Sequence, residues 1–335
     1  MSDAFVLTPP RDNFAFENGE AAERAFLDAY DKDRLHHAWL LTGPQGVGKA
    51  TFAFRAARFL MGHVRDDVAG GLAMSPQDPD VRLISAGSHP DLLVLEREMG
   101  ETKLKKNISV DAVREIGEFF SKAPSRSPWR VCIIDAVDDL NINSANALLK
   151  ILEEPPYKGI LFLVSHSPGR LLATIRSRCR RLAFTPWSDE AVGGFVRQRL
   201  ELDDDSVARL VRLAHGAPGR ALSLAEEGIL DMDAFAARLL SDSPPPRAEL
   251  THMAAQFKAS NAKNDGARKF AAFLDCLTDR LHERALSAAT PNMAQSTAKL
   301  WENMNSAVAE VESINLDRSD YFWSIYNQLA AIHQA

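Results

Sequence analysis

Residues 43–51 read GPQGVGKAT, a glycine-rich loop that ends in a lysine and two small residues. The apolar run 38–41 comes before this loop, and a helical pattern follows from residue 50 to about residue 61. A strand, a glycine loop and a helix in this order form the setting in which backbone N–H groups surround phosphate at a helix N-terminus. The stretch therefore predicts a phosphate-binding loop. Its candidate nucleotide-binding residues are Gly43, Gly46, Gly48, Lys49, Ala50 and Thr51.

Two positions in and near this predicted site differ from those of active ATPases. The phosphate-loop consensus places Ser or Thr directly after the lysine to hold magnesium, but this chain has Ala50 there. Thr51 is one residue later, which rotates its hydroxyl by about 100° around the helix. The apolar strand 131–134 ends in Asp135, where an aspartate would orient magnesium, but Ala136 follows and cannot activate water. The residues alone leave two interpretations open: a nucleotide site, or an inherited loop with a structural role.

The wider hydrophobic pattern predicts an α/β fold. Short, continuous apolar runs alternate with helical patterns, which is typical of a parallel sheet covered on both faces. The strand pattern stops near Pro186, and the rest of the chain is helical in pattern. Residues 62–90 are expected to be irregular. We therefore predict an α/β domain over residues 1–186, a small helical domain over 187–243 and a helical C-terminal domain over 244–335.

Composition limits the functional classes. The 335 residues carry 39 Lys plus Arg and 45 Asp plus Glu, so the net charge is −6 and any contact with nucleic acid must be local or made through a partner. No apolar window reaches the ~18 residues that a membrane span needs. The N-terminal residues lack the features of a secretory signal, so we expect a soluble, cytoplasmic protein. Three scattered cysteines exclude a disulfide framework and an all-cysteine zinc site.

A run of arginines follows the last predicted strand. Residues 175–181 read IRSRCRR, with four arginines among seven residues of an acidic chain. One interpretation is a solvated basic turn at the sheet edge. The other is an arginine offered to phosphate, because the guanidinium fork matches phosphate oxygens.

Five motifs in order carry a resemblance to a known family. They are GPQGVGKAT at 43–51, HPD at 89–91, DAVR at 111–114, NALLKILEEPP at 146–156 and RSRC at 176–179. Over residues 30–190 the chain resembles bacterial sliding-clamp loader subunits of the AAA+ superfamily, and among them the delta-prime subunits of DNA polymerase III. The resemblance implies an AAA+ P-loop core with a parallel sheet, a small helical lid and an all-helical collar.

The resemblance also implies an assembly. Related subunits form an open ring of five in which each ATP site lies between neighbours. Arg178 matches the arginine that reaches the ATP of the adjacent subunit, where it would act as an arginine finger in trans. The implied partners are the gamma/tau and delta subunits, the sliding clamp and, indirectly, primed DNA.

Departures from the family pattern lie in the chain's own site. Besides Ala50 and Ala136, Gly219 stands where the family carries a lid arginine, and Arg220 comes one place late. Arg178 is retained. This asymmetry favours a stator without intrinsic ATPase, with ATP bound weakly or not at all. The alternatives are a self-sufficient gamma/tau-like ATPase and an adaptor that binds ATP without hydrolysing it.

Two smaller expectations concern metal and sensing. Many relatives carry a four-cysteine zinc module after the first helix, but residues 62–88 contain no cysteine, so we expect no zinc. Ser165 and His166 end an apolar strand where the superfamily often places a sensor of the γ-phosphate. They are interpreted either as that sensor or as a cap on the strand end.

Overall fold

The computed structural model describes residues 8–68, 70–98, 105, 107–154, 156–226, 228–241, 243–258, 265–286, 295, 299–302, 304 and 317–333. The chain forms two compact units. The core unit comprises Val6–Glu201 and Ala214–Ala221, and the helical unit comprises Leu202–Leu213 and Leu222–Ala335, each as far as it is described.

A five-stranded parallel sheet organises the core unit, with the strand order β2-β3-β4-β1-β5. Trp39 of β1 lies opposite Phe162 of β4 on one side and Arg180 of β5 on the other. The predicted α/β fold class, a P-loop core with a parallel sheet followed by helices, is confirmed. The strands are β1 (Ala38–Thr42), β2 (Leu92–Glu96), β3 (Arg130–Asp135), β4 (Gly159–Ser165) and β5 (Arg180–Ala183).

Helices cover both faces of this sheet. On one face, Phe26 and Phe52 of the first two helices pack with Trp39 and Phe162. On the other face, residues of the helices Val110–Ser121, Ile142–Glu153 and Ala173–Ser177 pack against alternate residues of the same strands. Because both faces are buried, the strands are apolar throughout. The helices that belong wholly to the core unit are α1 (Glu20–Asp31), α2 (Lys49–Met61), α3 (Pro79–Ser85), α4 (Val110–Ser121), α5 (Ile142–Glu153), α6 (Ala173–Ser177) and α7 (Asp189–Arg197).

The structure corrects the sequence-based prediction at two elements. Residues 62–90 are not wholly irregular, because Pro79–Ser85 forms α3. The Asp78 carboxylate caps this helix by accepting from the N–H groups of Asp80 and Val81, and Pro79 takes the first helical position, where no N–H is needed. The arginine run is not wholly a turn either, because its last residues begin the edge strand β5, which is mostly exposed and therefore lacks an apolar signature.

The described part of the helical unit is built around aromatic side chains. Phe257, Phe273 and Phe322 lie within 5.3–5.6 Å of one another, measured between ring centroids, and join three of its helices. The buried carboxylate of Asp233 accepts two hydrogen bonds of 2.7 Å from Arg280. Further helices among the described residues are α8 (Asp204–Ala214), α9 (Pro218–Glu226), α10 (Ile229–Leu239), α11 (Arg247–Lys258), α12 (Asp265–Leu286) and α13 (Arg318–His333).

Within the described ranges, every helix is too short or too polar to cross a bilayer.

Candidate functional site

The predicted phosphate loop connects β1 to α2. Gly46 and Gly48 have φ angles of +84° and +96°, a region that residues with a Cβ rarely adopt. Gly48 also forms the N-terminal boundary of α2, so the first amides of the helix border the loop. The structure thus confirms the strand, loop and helix that the sequence predicts around residues 43–51.

Lys49 is bound to the loop from which it rises. Its side chain is buried, and its Nζ donates to the carbonyl oxygens of Gly43 at 2.6 Å and Pro44 at 2.5 Å. Burial lowers the pKa of Lys49 to about 8, and the negative charges of Asp135 and Asp138 only partly oppose this effect. The Lys49 ammonium is therefore bound by two neutral carbonyl oxygens in a position where burial disfavours its charged form.

Asp135 ends β3 as predicted, and its side chain is partly buried. Burial raises the pKa of Asp135 to about 6, against the opposing influence of Lys49. The next residue, Ala136, is buried and offers no side-chain acceptor. Asp135 therefore lies in the expected place with a raised pKa, and the residue after it, Ala136, offers no carboxylate to activate water.

Asp138 does not replace the missing carboxylate. It accepts hydrogen bonds from Ser165 Oγ at 3.0 Å, from the His166 N–H at 2.7 Å and from the Ser167 N–H at 3.0 Å. Its oxygens thus cap the end of β4. This contact favours the strand-cap interpretation of Ser165 over the sensor interpretation, because its hydroxyl is already bonded.

The start of α9 packs directly on the phosphate loop. The Gly219 N–H donates to the Gly46 carbonyl at 2.8 Å. A Cβ on Gly46 would lie 2.5 Å from the Arg220 nitrogen, and a Cβ on Gly219 would lie 2.9 Å from the Gly46 carbonyl oxygen. The glycine that replaces the expected lid arginine is therefore what allows this close backbone approach.

These observations together test the fit of magnesium-ATP to the chain's own site. Ala50 supplies no hydroxyl, Ala136 supplies no carboxylate, and Lys49 is bonded to two loop carbonyls. The residues present do not fit a magnesium-ATP complex poised for hydrolysis. Among the residues that the structure describes, no cluster of three or more His, Cys, Asp or Glu side chains could hold a metal ion. The expected absence of zinc stays a prediction.

Arg178 lies at the end of α6, bonded to α5 and α6 and to no residue of the loop. Its Nη2 is 2.8 Å from Glu153 Oε1, and its Nη1 donates to the Thr174 carbonyl at 3.1 Å. Its side chain is 36% exposed. Beside it, Cys179 packs against the core, and burial raises the pKa of its thiol to about 12.

The other arginines of the run have distinct surroundings. The Arg180 guanidinium lies 4.7 Å from the centroid of the Trp39 ring, and Arg181 Nε donates to Thr42 Oγ1 at 3.1 Å. Arg176 is exposed, and its side chain makes no hydrogen bond or ion pair with any described residue. The run is thus not one uniform patch.

Sequence reasoning did not find two contacts of this site. It gave no role to Glu153 beyond its place in the NALLKILEEPP motif, and it did not place Gly219 on Gly46. Both contacts join residues that are far apart in the chain. The one local signal was the glycine at the expected arginine position.

Comparison with known proteins identifies the family. The family model described as "DNA polymerase III, delta subunit" matches residues 19–188, half of the chain. The chain belongs to this family. The matched region contains the phosphate loop, Asp135 and Arg178, and it ends before α9.

Individual relatives carry related names. The chain is 35% identical over 199 residues to DNA polymerase III subunit delta' of Pseudomonas aeruginosa, covering 59% of this chain and 58% of the relative. It is 33% identical over 201 residues to subunit delta' of Escherichia coli, covering 58% and 56%. It is 32% identical over 203 residues to subunit gamma of Buchnera aphidicola, covering 58% and 53%. The chain therefore spans a little over half the length of these relatives.

One solved structure is similar over most of its length. It is a DNA polymerase III gamma subunit-related protein from Thermotoga maritima, with a TM-score of 0.45 and 16% identity, covering 94% of this chain and 98% of that one.

Proposed function

We propose that this chain is the delta-prime subunit of a bacterial DNA polymerase III clamp loader, a stator that hydrolyses no ATP itself. In this role it supplies Arg178 to the ATP site of a neighbouring gamma/tau subunit. One observation supports the proposal above the others. The chain's own site lacks the groups for hydrolysis, whereas Arg178 is partly exposed and is bonded away from that site.

The chemistry of this role belongs to the neighbour's nucleotide. Water attacks the γ-phosphorus, the bond to the oxygen that bridges to ADP breaks, and ADP leaves. In the transition state, negative charge is spread over the oxygens of the transferring phosphoryl group, and an arginine finger stabilises that charge. The planar guanidinium suits this task because two of its N–H groups can bond to phosphate oxygens together.

For this assembly we keep the domain division predicted from the sequence as a proposal. Residues 187–243 would form the lid, and residues 244–335 would form the collar that binds the gamma/tau and delta subunits. Through these partners the chain would act on the sliding clamp and, indirectly, on primed DNA in the cytoplasm. A net charge of −6 agrees with contact to DNA made mainly through partners.

The decisive experiment uses the reconstituted loader. Arg178→Ala should leave assembly intact and lower the ATPase stimulated by clamp and DNA by about 10³-fold at the affected site, the lower end of measured arginine-finger effects. Arg176→Ala is the matched control, because it removes an exposed arginine two residues away on the same short helix. Unchanged turnover with Arg178→Ala, or an equal loss with Arg176→Ala, would contradict the proposal.

A second candidate function is an adaptor that binds ATP without hydrolysing it. It is favoured by the retained loop geometry, with positive φ at Gly46 and Gly48 at the start of α2. Titration of the isolated chain with labelled ATP and magnesium distinguishes the two, since the stator should bind weakly or not at all. Turnover by the isolated chain would instead favour a self-sufficient gamma/tau-like ATPase.

A further inference from the structure

The guanidinium of Arg178 is occupied by its own chain. Nη2 pairs with Glu153 at the end of α5, and Nη1 donates to the carbonyl of Thr174 one turn earlier on α6. Both terminal nitrogens therefore contact acceptors within the subunit. A phosphate that takes an arginine in the bidentate manner must compete with at least one of these contacts.

The carboxylate is the acceptor that can be exchanged. The Glu153 side chain is 52% exposed and that of Arg178 is 36% exposed, so water reaches both partners. Exposed ion pairs are weak, because solvent screens the charges and two long side chains must be held in one geometry. A nucleotide polyphosphate, with more negative charge than one carboxylate, can displace such a partner.

We propose that Glu153 is a positioning residue that holds Arg178 against α5 in the free subunit. When a neighbour's ATP binds, its phosphates displace Glu153 from Arg178. This inference rests on the proposed function, since it requires Arg178 to reach that nucleotide. Glu153 thereby sets the fraction of subunits in which the arginine is available. The apparent affinity of the neighbour's site for ATP is proportional to that fraction, so it is lower when Glu153 holds more of the arginine.

The inference predicts a change in KM rather than in kcat. Without the carboxylate, Arg178 is available before ATP binds, so the KM for ATP in the assembled loader should fall by about 2- to 5-fold, the range expected for an exposed ion pair. kcat should change little, because the arginine makes the same contacts with the reacting phosphate once it is released.

The experiment compares three variants in the reconstituted loader. Glu153→Gln removes the charge and keeps the shape of the side chain. Glu154→Gln is the matched control, because Glu154 is the adjacent exposed carboxylate and forms no ion pair with a described residue. The double variant Arg178→Ala/Glu153→Gln shows whether the effect passes through the arginine. In the isolated chain, the rate at which an arginine-specific dicarbonyl reagent modifies Arg178 reports the contact directly.

The expected result is a lower KM with Glu153→Gln, no change with Glu154→Gln, no further change in the Arg178→Ala background and faster modification of Arg178. An unchanged or higher KM with Glu153→Gln, in a loader whose turnover does depend on Arg178, overturns the inference and leaves the proposed function standing. If Arg178→Ala leaves the turnover of the loader unchanged, the proposed function is wrong, and so is the inference that rests on it.

Discussion

Replacement of Gly46 by alanine tests the packing of α9 on the phosphate loop. At a φ of +84°, a residue with a Cβ costs about 1–2 kcal/mol more than glycine. The added carbon would lie 2.5 Å from the Arg220 nitrogen, so the loop or the start of α9 must move. That movement breaks the 2.8 Å hydrogen bond between Gly219 and Gly46, which adds about 1 kcal/mol. The expected loss in the free energy of unfolding is about 2–3 kcal/mol.

Gly194→Ala is the matched control for this substitution. Gly194 lies in α7 of the same unit, its φ is not positive, and a Cβ there would meet nothing within 4 Å. Alanine in place of glycine within a helix should stabilise the protein by about 0.5–1 kcal/mol. The two glycine-to-alanine changes are therefore expected to have opposite signs.

Urea denaturation followed by tryptophan fluorescence measures both effects. A Trp301→Phe/Trp323→Phe background leaves only Trp39, Trp129 and Trp187, all in the core unit, so the signal reports that unit. The reasoning is refuted if Gly46→Ala is as stable as the background protein. An equal loss in both variants would also refute it, because the loss would then not depend on the contact with α9.

Three further predictions concern groups that are buried or partly buried. Because burial raises the pKa of Asp135 from 3.8 to about 6, the folded state binds the proton more tightly than the unfolded state. The free energy of unfolding of the wild type, relative to that of Asp135→Asn, should therefore fall by about 2–3 kcal/mol between pH 4 and pH 6 and stay level above pH 6. Urea titration of both proteins at each pH measures this difference. A difference that does not change with pH would contradict the prediction. Asp233→Asn leaves Arg280 without its carboxylate and should lower the free energy of unfolding by about 3 kcal/mol. The control Asp231→Asn, at an exposed position, should change it by less than about 0.5 kcal/mol. Equal effects of the two variants in calorimetry would contradict a stabilising ion pair. Burial raises the pKa of all three cysteine thiols. A disulfide reagent at pH 7.5 should therefore react slowly with the native chain and rapidly with three thiols after denaturation. Rapid reaction of the native chain would contradict this, because it would show that the thiols are accessible.

The sequence predicts the elements whose signals are local. β1 and β4 are apolar along their whole length because both faces of the sheet are covered, so their composition alone indicates a parallel sheet. The glycines and Lys49 also form one continuous segment. Asp135 was predictable for the same reason, since it directly follows an apolar strand.

The contacts that decide how the site behaves were not predictable in this way. Gly219 meets Gly46, and Glu153 meets Arg178, only because the sheet and its helices bring separate segments together. Edge strand β5 has no apolar run, because its residues are mostly exposed. The helix that begins at Pro79 lies within the stretch 62–90 that we expected to be irregular, although an aspartate directly before a proline is typical of a helix start.

The position of β5 gives the arginine run a second effect. β5 is the last strand of the sheet, and Arg180 and Arg181 lie on it. An uncovered sheet margin can template strand addition from another molecule, and charged side chains on that margin disfavour such stacking. The positive charges of Arg180 and Arg181 therefore act against strand addition at this edge, an effect that is independent of any nucleotide.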